Sequence, residues 1–193
     1  MKKIGITGGI GSGKSVISHI LKTMGYPIYD SDYWAKYLMN NDKTINKALT
    51  NKFGPKTYSS EGLNRAFLAQ QIFNNTENLA YVNSVVHPIV GDHFLQWAKK
   101  QNSNLVFIES AILFSSGFDK IVDKTIFVNA PQDIRLKRAI LRDNTTTEAI
   151  TARIKNQAKG DTFAYKNSDF IIQNDNKTLI IPQILSVLEK ING

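Results

Sequence analysis

The feature that most restricts the fold lies near the start of the chain. A short apolar run, Ile4 to Thr7, feeds directly into Gly8-Gly9-Ile10-Gly11-Ser12-Gly13-Lys14-Ser15. Immediately afterwards the periodicity becomes helical, with Val16, Ile17, Ile20, Leu21 and Met24 on one face and Gly25 as a stop. A buried strand, a glycine loop and a helix therefore follow one another without a linker. The loop matches G-x-x-x-x-G-K-[ST], and each part has a physical task. Glycines let consecutive N–H groups turn inward and let an anion approach the backbone. The helix start adds unpaired N–H groups and the positive end of its dipole. Lys14 supplies a full charge to β and γ phosphates, and Ser15 offers a hydroxyl to Mg²⁺. The sequence thus points to a nucleoside triphosphate held by Gly9, Gly11, Ser12, Gly13, Lys14, Ser15 and Val16, the last through its backbone N–H.

The rest of the chain alternates between strand and helix. Further strands are expected at Tyr26–Tyr29, Leu105–Ile108, Thr125–Val128 and Asp169–Gln173. Helix-rich segments cover 32–40, 43–53, 65–74, 76–100, 132–142 and 178–191, with Pro182 tolerated near the first turn of the last. Thr145 and Glu148 have the spacing of a capping box for one more helix. Gly54-Pro55 and the stretch Ser59 to Gly62 read as turns. This alternation predicts an α/β chain with a five-stranded parallel sheet covered by helices. About 70 residues separate the second and third strands, where a crossover needs roughly a dozen. That excess is either a substrate-binding insertion or a structural helical cap. The expected layout is one domain: core 1–31, 105–131 and 161–193, insertion 32–104, and a lid at 132–160.

Charge and composition narrow the partners. Lys plus Arg number 24 and Asp plus Glu 16, so the net charge is +8. An anionic partner and a solubilising surface both account for this excess. Cysteine is absent, which removes disulfides and thiolate metal sites. Two lysines follow Met1, but the apolar run after them stops at Ile6, so no signal segment is read there. No run approaches the roughly 20 apolar residues of a membrane span. A cytoplasmic monomer without membrane or nucleic-acid partners is expected.

Several residues are candidates for the phosphoryl-acceptor side. Asp30-Ser31-Asp32 ends the second strand, where ligands gather in parallel sheets. Asp30 reads as a helix N-cap. Asp32 reads as a general base for an attacking hydroxyl, though it too could cap. Glu109 ends the third strand and could hold Mg²⁺ through water or simply be a satisfied polar end. His87 precedes Pro88, which suits a helix's first turn, so the imidazole is expected at a helix N-terminus, either touching substrate or serving structure. Arg135, Arg138 and Arg142 recur on one helix face. Seven basic residues lie between 132 and 160, against Asp133, Asp143 and Glu148. Such a segment could close over a transferring phosphoryl group or be a solvated basic face.

Together these residues resemble the dephospho-CoA kinase family along nearly the whole chain. The likeness runs through ITGGIGSGKS, Asp30-Ser31-Asp32, Phe53-Gly54, Gly62-Leu63-Asn64-Arg65, Leu68-Ala69, Phe73, Val86-His87-Pro88, Leu136, Arg138, Arg142, Gln157 and the stretch Asp169 to Asn174. The resemblance implies a three-layer P-loop kinase fold with a helical CoA-binding region and a lid. It implies ATP and Mg²⁺ as donor complex and the ribose 3′-hydroxyl of dephospho-CoA as acceptor. Asp32 would be the base and Lys14 the charge balance. Arg142 with Arg138 would stabilise the transition state, and Asn174 would lie on the adenine side. Arg65, His87 and Pro88 would meet the CoA side. Two positions depart from the family pattern. Ala111-Ile112-Leu113-Phe114-Ser115 replaces a PLLFE-like segment, losing its Pro and Glu, and Val16 stands where Thr is common. The nearest rivals are another small-molecule P-loop kinase, such as a shikimate-type enzyme, and a nucleic-acid-binding ATPase. The HP motif and the FG…G-x-x-R stretch argue against the first. The second lacks a basic patch with stacking aromatics.

Overall fold

A computed structural model describes all 193 residues. In chain order the elements are β1 (Lys2–Thr7), α1 (Lys14–Thr23), β2 (Ile28–Asp30), α2 (Ser31–Asn41), α3 (Lys43–Phe53), β3 (Tyr58–Ser59), β4 (Gly62–Leu63), α4 (Arg65–Ile72) and α5 (Thr76–Lys99). There follow β5 (Leu105–Glu109), β6 (Lys124–Asn129), α6 (Gln132–Asp143), α7 (Thr147–Asn167), β7 (Phe170–Gln173) and α8 (Ile180–Asn192). The chain forms two compact units, Met1–Tyr29 with Lys100–Gly193, and Asp30–Lys99.

The first unit is built on the expected five-stranded parallel sheet, in the order β2-β5-β1-β6-β7. Register fixes its faces. Ile4 and Ile6 of β1 point into a core shared with Ile17 and Leu21 of α1, Phe107, Val128, Ile172 and the inner face of α8. Gly5 points the other way. A Cβ there would lie 2.6 Å from Leu113 Cδ2, so the missing side chain admits Leu113 onto the second face. Phe127 meets Tyr165 of α7 edge-on at 5.6 Å on that unit's α7 side. The connection after β1 leads towards β2 and the one after β6 leads towards β7, in opposite directions. A crevice therefore opens at the carboxyl ends of β1 and β6, where Gly8 begins the loop. Helix α1 ends in a Schellman closure: Gly25, at φ 91, donates to Lys22 O and Tyr26 donates to Leu21 O.

The second unit is helical, with Leu38, Ile45, Leu49, Val82, Val86, Val90 and Phe94 buried. It also holds a hairpin where the sequence pattern predicts a turn: β3 and β4 pair antiparallel, Tyr58 opposite Leu63. Two-residue strands leave no periodicity to read. Tertiary bonds hold them, since Asn40 Oδ1 accepts from Leu63 N–H and Tyr58 O–H donates to Met39 O at 2.7 Å. Burial and the nearby Asp42 push the Tyr58 hydroxyl up to about 12.

Two local expectations are corrected. The cap of α7 is Thr146, which accepts from Ala149 N–H, rather than Thr145, because Asn144 turns left-handed at φ 46 and consumes one more residue in the turn. Pro88 lies inside α5 rather than in a first turn, so His87 is mid-helix and not at an N-terminus. The apolar spacing of Val82, Val86 and Val90 carries the helix through the proline by packing.

Candidate active site

Four carbonyls of the loop between β1 and α1, those of Gly8, Gly9, Ile10 and Ser12, accept from charged or amide donors. Lys14 Nζ donates to Gly8 O at 2.7 Å and to Gly9 O at 3.3 Å. Arg135 Nε donates to Ile10 O at 2.9 Å. Asn174 Nδ2 donates to Ser12 O at 2.8 Å, and Arg138 Nη1 reaches the same oxygen at 3.4 Å. One loop N–H is spent internally, since Ser12 N–H donates to Gly9 O at 3.1 Å. Gly13 caps α1 at φ 92, and a Cβ on it would lie 2.1 Å from Asn174 Nδ2, so both conformation and space demand glycine. Ser12 is buried and its Oγ has no partner within the protein. Ser15 is exposed in the first turn of α1. Glu109 lies beside the loop's origin, since β5 pairs with β1 in a register that sets Glu109 opposite Ile6.

Three sequence assignments change on this side. Val16 N–H is not free for phosphate: it donates to Gly13 O at 3.0 Å, closing the tight first turn of α1. The Asn174 side chain does not face outward to a base. It is 6% exposed and braces the loop, donating to Ser12 O and accepting from Arg138 Nη2 at 3.1 Å. Arg138 does reach the loop, but Arg142, one turn on, does not. Its side chain is 65% exposed and pairs with Asp143 at 2.7 Å, where Arg153 joins.

A cleft of about 420 Å³ opens beside the end of β1. Its walls are Thr7, the altered segment Ala111–Ser115, and Asn156, Gln157, Gly160, Asp161, Phe163 and Ala164 of α7. Gln157 Oε1 is buried there without a partner. Arg135 and Asp161 escaped the sequence reading as site residues. Arg135 was one cation among seven, and Asp161 lies one residue past the segment read as a lid.

In the Asp30–Lys99 unit, Asp30 is the N-cap of α2, accepting from Tyr33 N–H at 2.9 Å as expected. Asp32 is exposed in the same first turn. The Trp34 and His93 rings meet at 4.4 Å, tilted by 43°. Arg65 is exposed at the start of α4, behind the Asn64 cap. His87 is half-buried, Pro88 is exposed, and burial lowers the His87 pKa from its ordinary value.

The model of the dephospho-CoA kinase family matches residues 2–179. The chain belongs to the dephospho-CoA kinase family. Dephospho-CoA kinases from Porphyromonas gingivalis and Bacteroides fragilis are each 42% identical to it. The first alignment covers 99% of this chain and 95% of the relative, the second 96% and 91%. Among solved structures, a Thermus thermophilus protein superposes with a TM-score of 0.81 at 29% identity, covering 99% of this chain and 96% of that one. Dephospho-CoA kinase from Campylobacter jejuni gives 0.68 at 26% identity over 98% and 96%. Shikimate kinase from Acinetobacter baumannii gives 0.57 at 14% identity over 100% and 93%, a likeness of fold alone. As a dephospho-CoA kinase, the chain is a phosphotransferase that uses ATP on dephospho-CoA, the final step of coenzyme A biosynthesis.

Proposed function

We propose that the chain moves the γ-phosphoryl group of ATP to the ribose 3′-hydroxyl of dephospho-CoA. The observation that carries this reading is the loop itself, whose Ile10 and Ser12 carbonyls are held by Arg135, Arg138 and Asn174 and whose Gly8 and Gly9 carbonyls hold Lys14. Asp32, two residues beyond β2, takes the proton from the 3′-hydroxyl. The 3′-oxygen then bonds to the γ-phosphorus as the bond from that phosphorus to the β–γ bridging oxygen breaks, leaving ADP. Lys14 exchanges its loop carbonyls for β and γ phosphate oxygens, and Arg138 adds charge from α6. Arg142 joins them only if the α6–α7 segment closes, a movement that also excludes water. Arg65, His87 and Pro88 serve the CoA side.

No group of three or more His, Cys, Asp or Glu side chains could hold a metal ion unaided. That fits Mg²⁺, which keeps water and takes phosphate oxygens, so the Ser15 hydroxyl is the protein's contribution, with Glu109 reached through water. Bound there, Mg²⁺ neutralises charge on the β and γ phosphates. No helix is long and apolar enough to cross a membrane. We place the enzyme in the cytoplasm as a monomer acting on a small molecule rather than on nucleic acid.

The test is ADP release from Mg-ATP with dephospho-CoA, adenosine, shikimate or no acceptor. Release stimulated by dephospho-CoA alone, with one coenzyme A formed per ADP, is expected. Stimulation by another acceptor and not by dephospho-CoA overturns the assignment.

A further inference from the structure

One tie on the phosphate loop is built differently from the rest. Arg135 of α6 donates through Nε to Ile10 O at 2.9 Å, while its Nη2 pairs with Asp161 of α7 at 2.8 Å. The two side chains are only 13% and 15% exposed, whereas each of the four other ion pairs has a partner at least 46% exposed. The pair also lies hard against the loop. A Cβ on Gly9 would come 1.9 Å from Arg135 Nη2 and 2.2 Å from Asp161 Oδ2. Neither residue has a part in the phosphoryl transfer as derived from the family likeness.

Burying an ion pair contributes little net stability, yet removing one partner strands the other charge. The gain here is direction. A guanidinium is a rigid planar fork, so fixing Nη2 fixes where Nε points. Nε points at the Ile10 carbonyl, for which Lys14, Arg138 and Asn174 provide no donor. An Ile10 carbonyl free to flip inward would set a partial negative charge against phosphate oxygens and withdraw an N–H from them.

We propose that Arg135 and Asp161 are a positioning pair for phosphoryl transfer. Asp161 aims the guanidinium, and Arg135 holds the Ile10 carbonyl outward so that the loop presents its N–H groups to the ATP phosphates. The inference rests on the reading of the loop as the ATP site. It makes the loop's geometry depend on a carboxylate from the far end of α7, a residue that also lines the cleft at the end of β1.

The full chain and its Arg135→Ala, Arg135→Lys, Asp161→Asn, Asp161→Ala and double-alanine variants are compared in three measurements. These are titration with N-methylanthraniloyl-ADP, the separate Michaelis constants for ATP and dephospho-CoA, and thermal melting. Either alanine change should weaken nucleotide binding and raise the ATP constant about tenfold or more, since small misplacements of a site carry large costs. The dephospho-CoA constant should move less than about twofold. The double variant should be no worse than the worse single, because the two act as one unit. Arg135→Lys, charged but lacking the fork, should resemble the alanine variant. Tighter or unchanged nucleotide binding in Asp161→Asn and Asp161→Ala would make Arg135 a direct phosphate ligand and overturn the proposal. Equal rises in both Michaelis constants with a lowered melting temperature would make the pair a brace of the fold and overturn it too. The fluorescent ADP titration needs no acceptor, so it reads the pair even if dephospho-CoA proves not to be the substrate. Failure of the wild-type chain to turn over dephospho-CoA strikes the acceptor assignment alone.

Discussion

The two units prepare their polar groups in opposite ways. In the sheet unit, the loop between β1 and α1 is engaged from four sides by Lys14, Arg135, Arg138 and Asn174. In the Asp30–Lys99 unit, Asp32 and Arg65 stand exposed in the first turns of α2 and α4. On the proposed reading, the donor side is organised by the protein, whereas the acceptor side leaves its charged groups to be organised by what binds. Triphosphate is common to many enzymes and benefits from a rigid cradle. An acceptor defines one enzyme, and its contacts can be completed on binding at some cost in order.

The comparison can be broken at several points. Lys14→Ala should have the largest effect, lowering kcat/KM for ATP by on the order of a thousandfold or more and weakening nucleotide binding. Intact binding in a nucleotide titration would show that the loop does not depend on this charge. Asp32→Asn should lower turnover by about a hundredfold while nucleotide affinity stays near normal. Near-normal turnover would remove Asp32 from the base role and leave the acceptor side without its chemistry. Gly13→Ala should cost about 1–3 kcal/mol in denaturant unfolding and roughly tenfold in nucleotide affinity, since φ 92 and the 2.1 Å approach of Asn174 both exclude a side chain. An alanine variant as tight-binding and stable as the parent would contradict the rigid cradle.

Acid should separate the units more gently. Burial lowers the His87 pKa below its ordinary 6.5, so the unfolded chain protonates there first. Stability from this group is intact above about pH 6.5 and falls as the pH drops through the lower folded value. Asp169 behaves likewise in the sheet unit but in a lower window. Its partial burial opposes ionisation, yet bonds from Lys124 and Thr125 outweigh it and hold the carboxyl below the usual 3.8. Its contribution is lost only as the pH falls below about 4. Denaturant unfolding between pH 7 and 5 should therefore show a slope that His87→Gln flattens and Asp169→Asn does not. The reverse pattern would refute the assignment. Smallest of all, Val16→Thr should change kcat/KM less than about twofold, because that side chain is exposed and its N–H is spent within α1. A larger gain would mean that the hydroxyl reaches the nucleotide.

What was legible beforehand follows the range of the interactions. The strand–loop–helix unit, the five core strands and the Asp30 cap all declare themselves within a dozen residues. The local exceptions are places where packing outvoted a local signal, as at Pro88, where a proline that reads as a helix start is carried through by Val82, Val86 and Val90. The braces of the loop lie beyond any local pattern. Asn174 is 162 residues from the Ser12 carbonyl it holds, and Arg135 is 125 from Ile10. Nothing near Arg135 distinguishes it from Arg142, although one is clasped against the loop and the other points to Asp143. The family likeness names Arg138 and Asn174 but not their grip on the loop, and it passes over Arg135, because short motifs do not show bonds that join distant parts of the chain.

The grip of Lys14 on the Gly8 and Gly9 carbonyls also bears on selectivity. Any anion entering the loop takes part in an exchange, because the ammonium must leave two oxygens before it can meet new ones. The cost of that departure is the same for every visitor. On the proposed reading of the loop, the return rises with the number of phosphate oxygens within reach, so a triphosphate recovers more of it than inorganic phosphate or sulfate. In that reading the lysine is a threshold as well as a ligand, favouring the nucleotide over small anions.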